Sequence, residues 1–205
     1  MRCRREEMEM AEVVLFHHVQ GLTDGLRAFA DELRADGHTV HTPDLFEGKQ
    51  PASIDDGIAL VQSIGDGVTR QRADRAVAHL REGVVYAGFS WGAATAQRLA
   101  QARPGARGAL LYEGCVPLTG PWAFGPWPDG VPVQIHGMDN DPFFAGEGDI
   151  EAARHLAETL GPGLAELFIY PGDQHLFADS SLPSYDQQAA EFVVQRTKEF
   201  LNRVG

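Results

Sequence analysis

Two cysteines in 205 residues, Cys3 and Cys115, are too few for a disulfide framework. A reducing compartment suits such a chain, and Cys115, in an apolar stretch, reads as a small buried hydrophobe. Basic residues are also scarce: 17 Lys and Arg stand against 29 Asp and Glu, giving a formal net charge of −12 and a pI near 5.0. That balance speaks against a nucleic-acid backbone or an anionic membrane surface as partner, because binding to either is driven by clustered cations. No apolar run reaches the roughly 20 residues needed to cross a bilayer. The start, Met1-Arg2-Cys3-Arg4-Arg5-Glu6-Glu7, runs into acidic residues instead of the apolar core of a signal peptide. Internal repeats, low-complexity tracts and interdomain linkers are missing too. The expectation is a soluble cytoplasmic protein, monomer or homodimer, with residues 1–11 as a disordered lead and 12–205 as one domain. A hydrophobic content of 43% is enough for one sizeable core.

What is present is alternation. Val13-Val14-Leu15-Phe16 reads as a short buried strand, after which Leu22, Leu26, Phe29, Ala30 and Leu33 recur at helical spacing until Gly37. His38 to His41 is a weaker strand, ended by Thr42-Pro43-Asp44. Ser53 can cap a helix whose face carries Ile54, Ile58, Val61 and Ile64. A second helix is expected over Thr69 to Leu80, then a strand over Val84 to Ala87 and an alanine-rich helix able to pack close to a sheet. Strands at 109–112, 131–135 and 167–170, helices at 150–160 and along Ala189, Phe192, Val193, Phe200 and Leu201, complete the pattern. Short apolar strands alternating with amphipathic helices indicate an α/β fold, a mainly parallel sheet covered on both faces.

In such a sheet the reactive groups gather beyond the carboxyl ends of the strands. Ser90 lies there, in Gly88-Phe89-Ser90-Trp91-Gly92, between the strand at 84–87 and the helix that follows. A strand turning sharply into a helix strains the serine backbone, and side chains at the two glycine positions would clash, which is the physical content of a nucleophile elbow. Asp139 and Asp141 follow the strand at 131–135, and His175 follows the last strand. The order serine, acid, histidine is that of an α/β-hydrolase. A serine hydroxyl is a poor nucleophile at neutral pH, so His175 would take its proton. A carboxylate, Asp141 or Asp139, would orient the imidazole and stabilise its charged form, Asp141 being favoured because it precedes Pro142-Phe143. The backbone N–H groups of Trp91 and Val19 are the natural oxyanion hole. His17 and His18, adjacent on a strand, point to opposite faces and lack further ligands at metal spacing, so no metal is expected.

With these residues the chain resembles the dienelactone hydrolase family, a compact branch of the α/β-hydrolases with no large lid domain. The resemblance runs over residues 12–205. It is carried by Gly21-Leu22-Thr23-Asp24-Gly25, Thr42-Pro43-Asp44-Leu45-Phe46, the Ser90 elbow, Asn140-Asp141-Pro142-Phe143, and Tyr170-Pro171-Gly172 ahead of His175-Leu176-Phe177. It implies hydrolysis of an ester or lactone without a cofactor, and supports Asp141 over Asp139. Two departures stand out. The family's type enzyme has a cysteine nucleophile aided by a glutamate after the first strand; here Ser90 and His18 occupy those positions. It also holds a substrate carboxylate with arginines, and Asp179 stands where one would fall, which argues against an anionic substrate. A pocket lined by His18, Phe143 and Phe177, with Trp91, Phe144, Trp122, Phe124 and Trp127 nearby, would suit a neutral, fairly apolar ester or lactone. The same scaffold could also bind a small molecule without hydrolysing it, or carry out a cofactor-free transformation such as lactone rearrangement or perhydrolysis.

Overall fold

A computed structural model describes residues 10–205. Six strands, β1 (Glu12–Phe16), β2 (Thr39–His41), β3 (Val84–Phe89), β4 (Gly108–Tyr112), β5 (Val133–Met138) and β6 (Ala165–Tyr170), form one parallel sheet in the order β2-β1-β3-β4-β5-β6. Six helices connect or follow them: α1 (Asp24–Ala35), α2 (Ile54–Ile64), α3 (Asp66–Val77), α4 (Trp91–Ala102), α5 (Asp149–Leu160) and α6 (Gln187–Val204). The α/β architecture expected from the alternation is therefore present, and no large lid is inserted among the described residues.

The period of two along each strand divides the core. Val13, Leu15, Val85, Ala87, Leu110 and Tyr112 face α1 and α6, where Leu26, Phe29, Leu33, Val193 and Phe200 meet them. Val14, Phe16, Tyr86, Leu111 and Ile135 face the other way, into a second core with Val61, Ala73, Val77, Ala93, Ala96, Leu99, Ala153 and Leu156 from α2 to α5. Strands buried on both faces need an unbroken apolar run, which is why β3 and β4 read so clearly in the sequence. Alanines on α4 let that helix approach the sheet closely.

Local signals set several ends. Thr23 and Ser53 each accept a hydrogen bond from the backbone amide three residues on, capping α1 and α2. α3 begins three residues earlier than the spacing predicts, because Gly65 at φ 87° ends α2 and lets the chain turn directly into Asp66. Ile58 and Phe192, expected on apolar faces, are largely exposed. Ala11 is a correction to the expected lead: it is buried, its amide donates to His38 Nδ1 at 3.3 Å, and its carbonyl accepts from Thr39. Met10 is exposed, and residues 1–9 of that lead lie outside the described residues.

The topology also selects a place for chemistry. From β1 the chain moves outward to β2, then returns across β1 to β3, so the connections leaving β1 and β3 diverge and open a crevice between their carboxyl ends. The segment after β1 and the turn after β3 border it.

Leu111 is fully buried in β4, paired on both sides by β3 and β5. Leu111→Ala should cost about 2–5 kcal/mol of stability through lost burial and a residual cavity, read as a lowered urea midpoint at unchanged slope.

Candidate active site

Ser90 sits at the tip of the turn between β3 and α4 with φ 51° and ψ −118°, a conformation that L-residues rarely adopt. Its neighbours explain how it is held. A Cβ at Gly88 would collide with the Gly92 carbonyl, and one at Gly92 would stand 2.5 Å from the His17 carbonyl and 2.6 Å from that of Phe16. The glycines therefore let α4 start hard against the end of β1. The Ser90 amide donates to the Tyr112 carbonyl at 2.7 Å, tying the turn to β4.

Serine is a favoured helix N-cap, yet Ser90 makes no capping bond to α4. Its Oγ instead donates to His175 Nε2 at 2.7 Å. The tautomer compatible with that contact has its proton on Nδ1, and Nδ1–H donates to Asp141 Oδ2 at 2.7 Å. Asp141, fully buried in the segment after β5, is held by the amides of Phe143 (2.8 Å) and Phe144 (3.2 Å), both donating to Oδ1. Its oxygens are thereby fixed, one for the backbone and one for the imidazole. Asp139 is engaged elsewhere. Its Oδ1 accepts from the Gly172 amide at 3.0 Å, and its own amide donates to the Tyr170 carbonyl, so it braces the segment that carries His175.

Burial of His175 works against protonation, but the hydrogen bond to Asp141 and the charges of Glu113, Asp141 and Asp149 outweigh it, and the imidazole pKa lies above its ordinary value. The arrangement thus favours the protonated ring more than water does.

Trp91, half-buried, begins α4 beside Ser90; its ring packs 5.3 Å from Phe46 and 5.9 Å from His17. Val19 lies in the segment after β1, its peptide held by close contact with Gly57. Among the described residues neither amide donates to a protein acceptor. Phe143, half-buried, has its ring centroid 4.7 Å from that of His175 and borders the triad.

Two expected lining residues are elsewhere. Phe177 is buried in the core under α1 and α6, and Phe144 in the opposite core, so neither ring can meet a ligand at Ser90. His18 is fully buried with both nitrogens engaged: Nδ1 accepts from the Gln20 amide at 3.2 Å, and Nε2–H donates to Asp179 Oδ2 at 2.9 Å. It is therefore no pocket residue. Asp179 also accepts from the Thr23 hydroxyl, and from the Ser181 amide (2.9 Å) and hydroxyl (2.6 Å). Gly25 leaves room for it, since any Cβ there would overlap Asp179 Oδ1. His18 and Asp179, two of the three positions that depart from the type enzyme, are thus partners in one buried contact, which joins the segment after β1 to the one after His175. Burial opposes ionisation of Asp179, but the bonds from His18, Ser181 and Thr23 prevail and hold its pKa below the ordinary carboxylate value.

His17 completes the floor. Its Nδ1–H donates to the His18 carbonyl at 2.7 Å and its Nε2 accepts from the Leu45 amide at 3.0 Å, while burial pushes its pKa down to about 4. The ring stays neutral and positions the segment around Leu45. In the segment after β4, Trp122 is 80% exposed, Phe124 is half-buried, and Trp127 is buried with Nε1–H donating to the Val131 carbonyl. A cavity of about 510 Å³ between α1 and α6, lined by Phe29, Tyr185 and Val194 among others, contains no triad residue.

Glu113 was not singled out by sequence reasoning. It is buried just beyond β4 with φ 55°, and its Oε1 accepts from the Phe177 amide at 2.8 Å. A charged residue directly after the apolar run Ala109-Leu110-Leu111-Tyr112, at the carboxyl end of a strand next to the serine strand, was the available signal.

The model of the dienelactone hydrolase family matches residues 3–205. Among solved structures, a dienelactone hydrolase-like promiscuous phosphotriesterase from metagenomic libraries is 18% identical at a TM-score of 0.72, over 98% of this chain and 89% of that one. Esterase 2 of Thermogutta terrifontis is 17% identical at 0.62, over 96% and 84%. A structure of the metagenome-derived lipolytic enzymes LipS and LipT is 16% identical at 0.61, over 95% and 94%. At these identities the likeness is one of fold. No curated protein matches the sequence.

Replacing Asp179 by Asn should lower stability at neutral pH by about 1–3 kcal/mol, the worth of hydrogen bonds to a buried charge. A folded-state pKa below the unfolded value contributes stability that is present above the unfolded value and lost as pH falls through the folded one. The gap between parent and Asp179→Asn in denaturant titrations should therefore close on acidification below about pH 4.

Proposed function

The chain belongs to the dienelactone hydrolase family, and from that membership we propose that it is a serine hydrolase cleaving a neutral carboxylic ester or lactone through an acyl-enzyme on Ser90. The observation that carries this reading is the unbroken relay from Ser90 Oγ to His175 to Asp141, with both contacts at 2.7 Å.

His175 Nε2 takes the hydroxyl proton as Oγ attacks the substrate carbonyl. Asp141 holds the Nδ1–H tautomer and offsets the imidazolium charge. The carbonyl oxygen, now carrying negative charge, is met by the amides of Trp91 and Val19, the first at the positive end of α4. His175 then passes the proton to the leaving oxygen, and the acyl group stays on Ser90. A water deprotonated by the same imidazole attacks the acyl carbon, and the acid is released as Ser90 recovers its proton. Every proton moved in this cycle starts and ends on Ser90, His175, water or substrate.

Substrate class follows from the surroundings. Glu113, Asp141 and Asp149 place negative charge around His175, so an anionic substrate would be repelled. The segment after β1, where the type enzyme carries its glutamate, is closed by the internal His18–Asp179 contact and offers no cation to a substrate carboxylate. Trp91 and Phe143 supply apolar surface beside the reacting groups.

The test is covalent labelling by a fluorophosphonate, mapped by mass spectrometry, with turnover of short-chain p-nitrophenyl esters. Label on Ser90 and ester cleavage are expected; folded protein that takes no label at Ser90 refutes the assignment. Ser90→Ala and His175→Ala should each lower kcat by about 10⁴-fold or more, with little effect on thermal stability. His175 must be neutral to accept the proton, so kcat/KM should fall on acidification with an apparent pKa above the ordinary histidine value of about 6.5.

A further inference from the structure

A buried carboxyl that the relay does not use lies between its two halves. Glu113 is 2% exposed, and a lone carboxyl in such a place needs partners for both oxygens. Oε1 has one, the Phe177 amide at 2.8 Å, two residues beyond His175. Oε2 has none among the described residues. The backbone around it is pinned to the nucleophile: the Ser90 amide bonds the carbonyl of Tyr112, immediately before Glu113, and Gly114, immediately after, lies so close to the Ser90 carbonyl that a Cβ would stand 2.8 Å from it. The Glu113 amide donates to the His136 carbonyl of β5 at 2.7 Å. At φ 55° the residue adopts a conformation that a glutamate does not choose on its own.

We propose that Glu113 is a positioning residue of the catalytic centre, a second carboxyl that clamps the His175 segment to the nucleophile turn through the Phe177 amide and adjusts the charge state of the His175 ring. The ionisable groups facing it are His175, from the segment after β6, and Asp141, from the segment after β5; Asp149, at the start of α5, acts on both of these. Burial pushes the Glu113 carboxyl up to about 7, opposed by attraction to His175 and reinforced by Asp141. Glu113 therefore keeps its proton to a higher pH than an ordinary carboxyl does. An ionised Glu113 favours the charged His175 ring, and a protonated Glu113 leaves that ring to Asp141 and Asp149. Asp141 sets the tautomer, and Glu113 in its ionised form adds negative charge beside the ring.

This inference deepens the serine hydrolase reading and rests on it for its kinetic part; the titration below does not depend on turnover. Glu113→Gln keeps an oxygen for the Phe177 amide but cannot ionise, whereas Glu113→Leu keeps bulk and loses both functions. The His175 pKa is followed by NMR in protein carrying ¹⁵N-labelled histidine, beside kcat and KM for p-nitrophenyl acetate across pH. Loss of the carboxylate removes a charge that favours imidazolium, so in Glu113→Gln the His175 pKa and the acid limb of kcat/KM should fall together by at least about half a unit. The kcat plateau at high pH should stay within about threefold of the parent in Glu113→Gln and drop about tenfold or more in Glu113→Leu, with KM little changed. A His175 titration in Glu113→Gln that overlays the parent's overturns the proposal. A shifted His175 titration in a parent that cleaves no ester and takes no fluorophosphonate leaves the coupling standing and removes the hydrolase reading instead.

Discussion

The backbone of Ser90 can stand at φ 51° and ψ −118° only because Gly88 and Gly92 carry no side chains, and most of the site depends on that close approach. Gly92 lets α4 begin in contact with the carbonyls of Phe16 and His17, which brings the Trp91 amide towards the segment holding Val19. The same turn lifts Oγ away from its own helix, so that a side chain suited to capping α4 is left to bond His175. The strain is local, whereas its restraints are spread through the sheet: β1 beneath Gly92, β4 through the Tyr112 carbonyl, and His175 at Oγ. Residues over-determined in this way keep a geometry that an isolated turn would abandon.

Around that turn the segments beyond the strands are fastened to one another by carboxylates. Asp139 braces the turn at Gly172, Asp141 aligns His175, Glu113 holds Phe177, and Asp179 joins His18 and Thr23 to Ser181. Asp139, Asp141 and Asp179 take their bonds from amides, hydroxyls and imidazoles, whereas Glu113 has a partner at one oxygen only. A carboxylate that accepts several N–H bonds can stay ionised in a buried place. These cross-links give segments without regular structure the precision that catalysis demands.

Much of this was legible from the chain. Strands buried on both faces announce themselves as unbroken apolar runs, and the Ser90 turn carries its own steric reason in its glycines. Ser53 marks a helix start by side-chain chemistry that acts over three residues, whereas the Thr23 cap went unread because apolar spacing already began at Leu22. What escaped was set by distance in sequence. His18 and Asp179 each looked like a separate departure from the family, because residues 161 positions apart give no local sign that they touch. Phe177, next to the triad in sequence, turns into the core under α1 and α6, while His175 two residues earlier turns to Ser90. Glu113, a charge at a strand end, carries no local mark of burial, and only the arrival of Phe177 beside it makes it interior.

The crowding of carboxylates near His175 also bears on what happens after the last bond breaks. In the reaction proposed for Ser90, the ester or lactone is uncharged at the carbonyl attacked, but its hydrolysis would leave a carboxylate in the same place, near Asp141 and Asp149. Attraction to the imidazolium would end once His175 has returned its proton to Ser90, leaving repulsion from Asp141 and Asp149. In that proposed reaction the electrostatic field that steadies the imidazolium would also hasten release of the acid product, while leaving the overall equilibrium as it is in water.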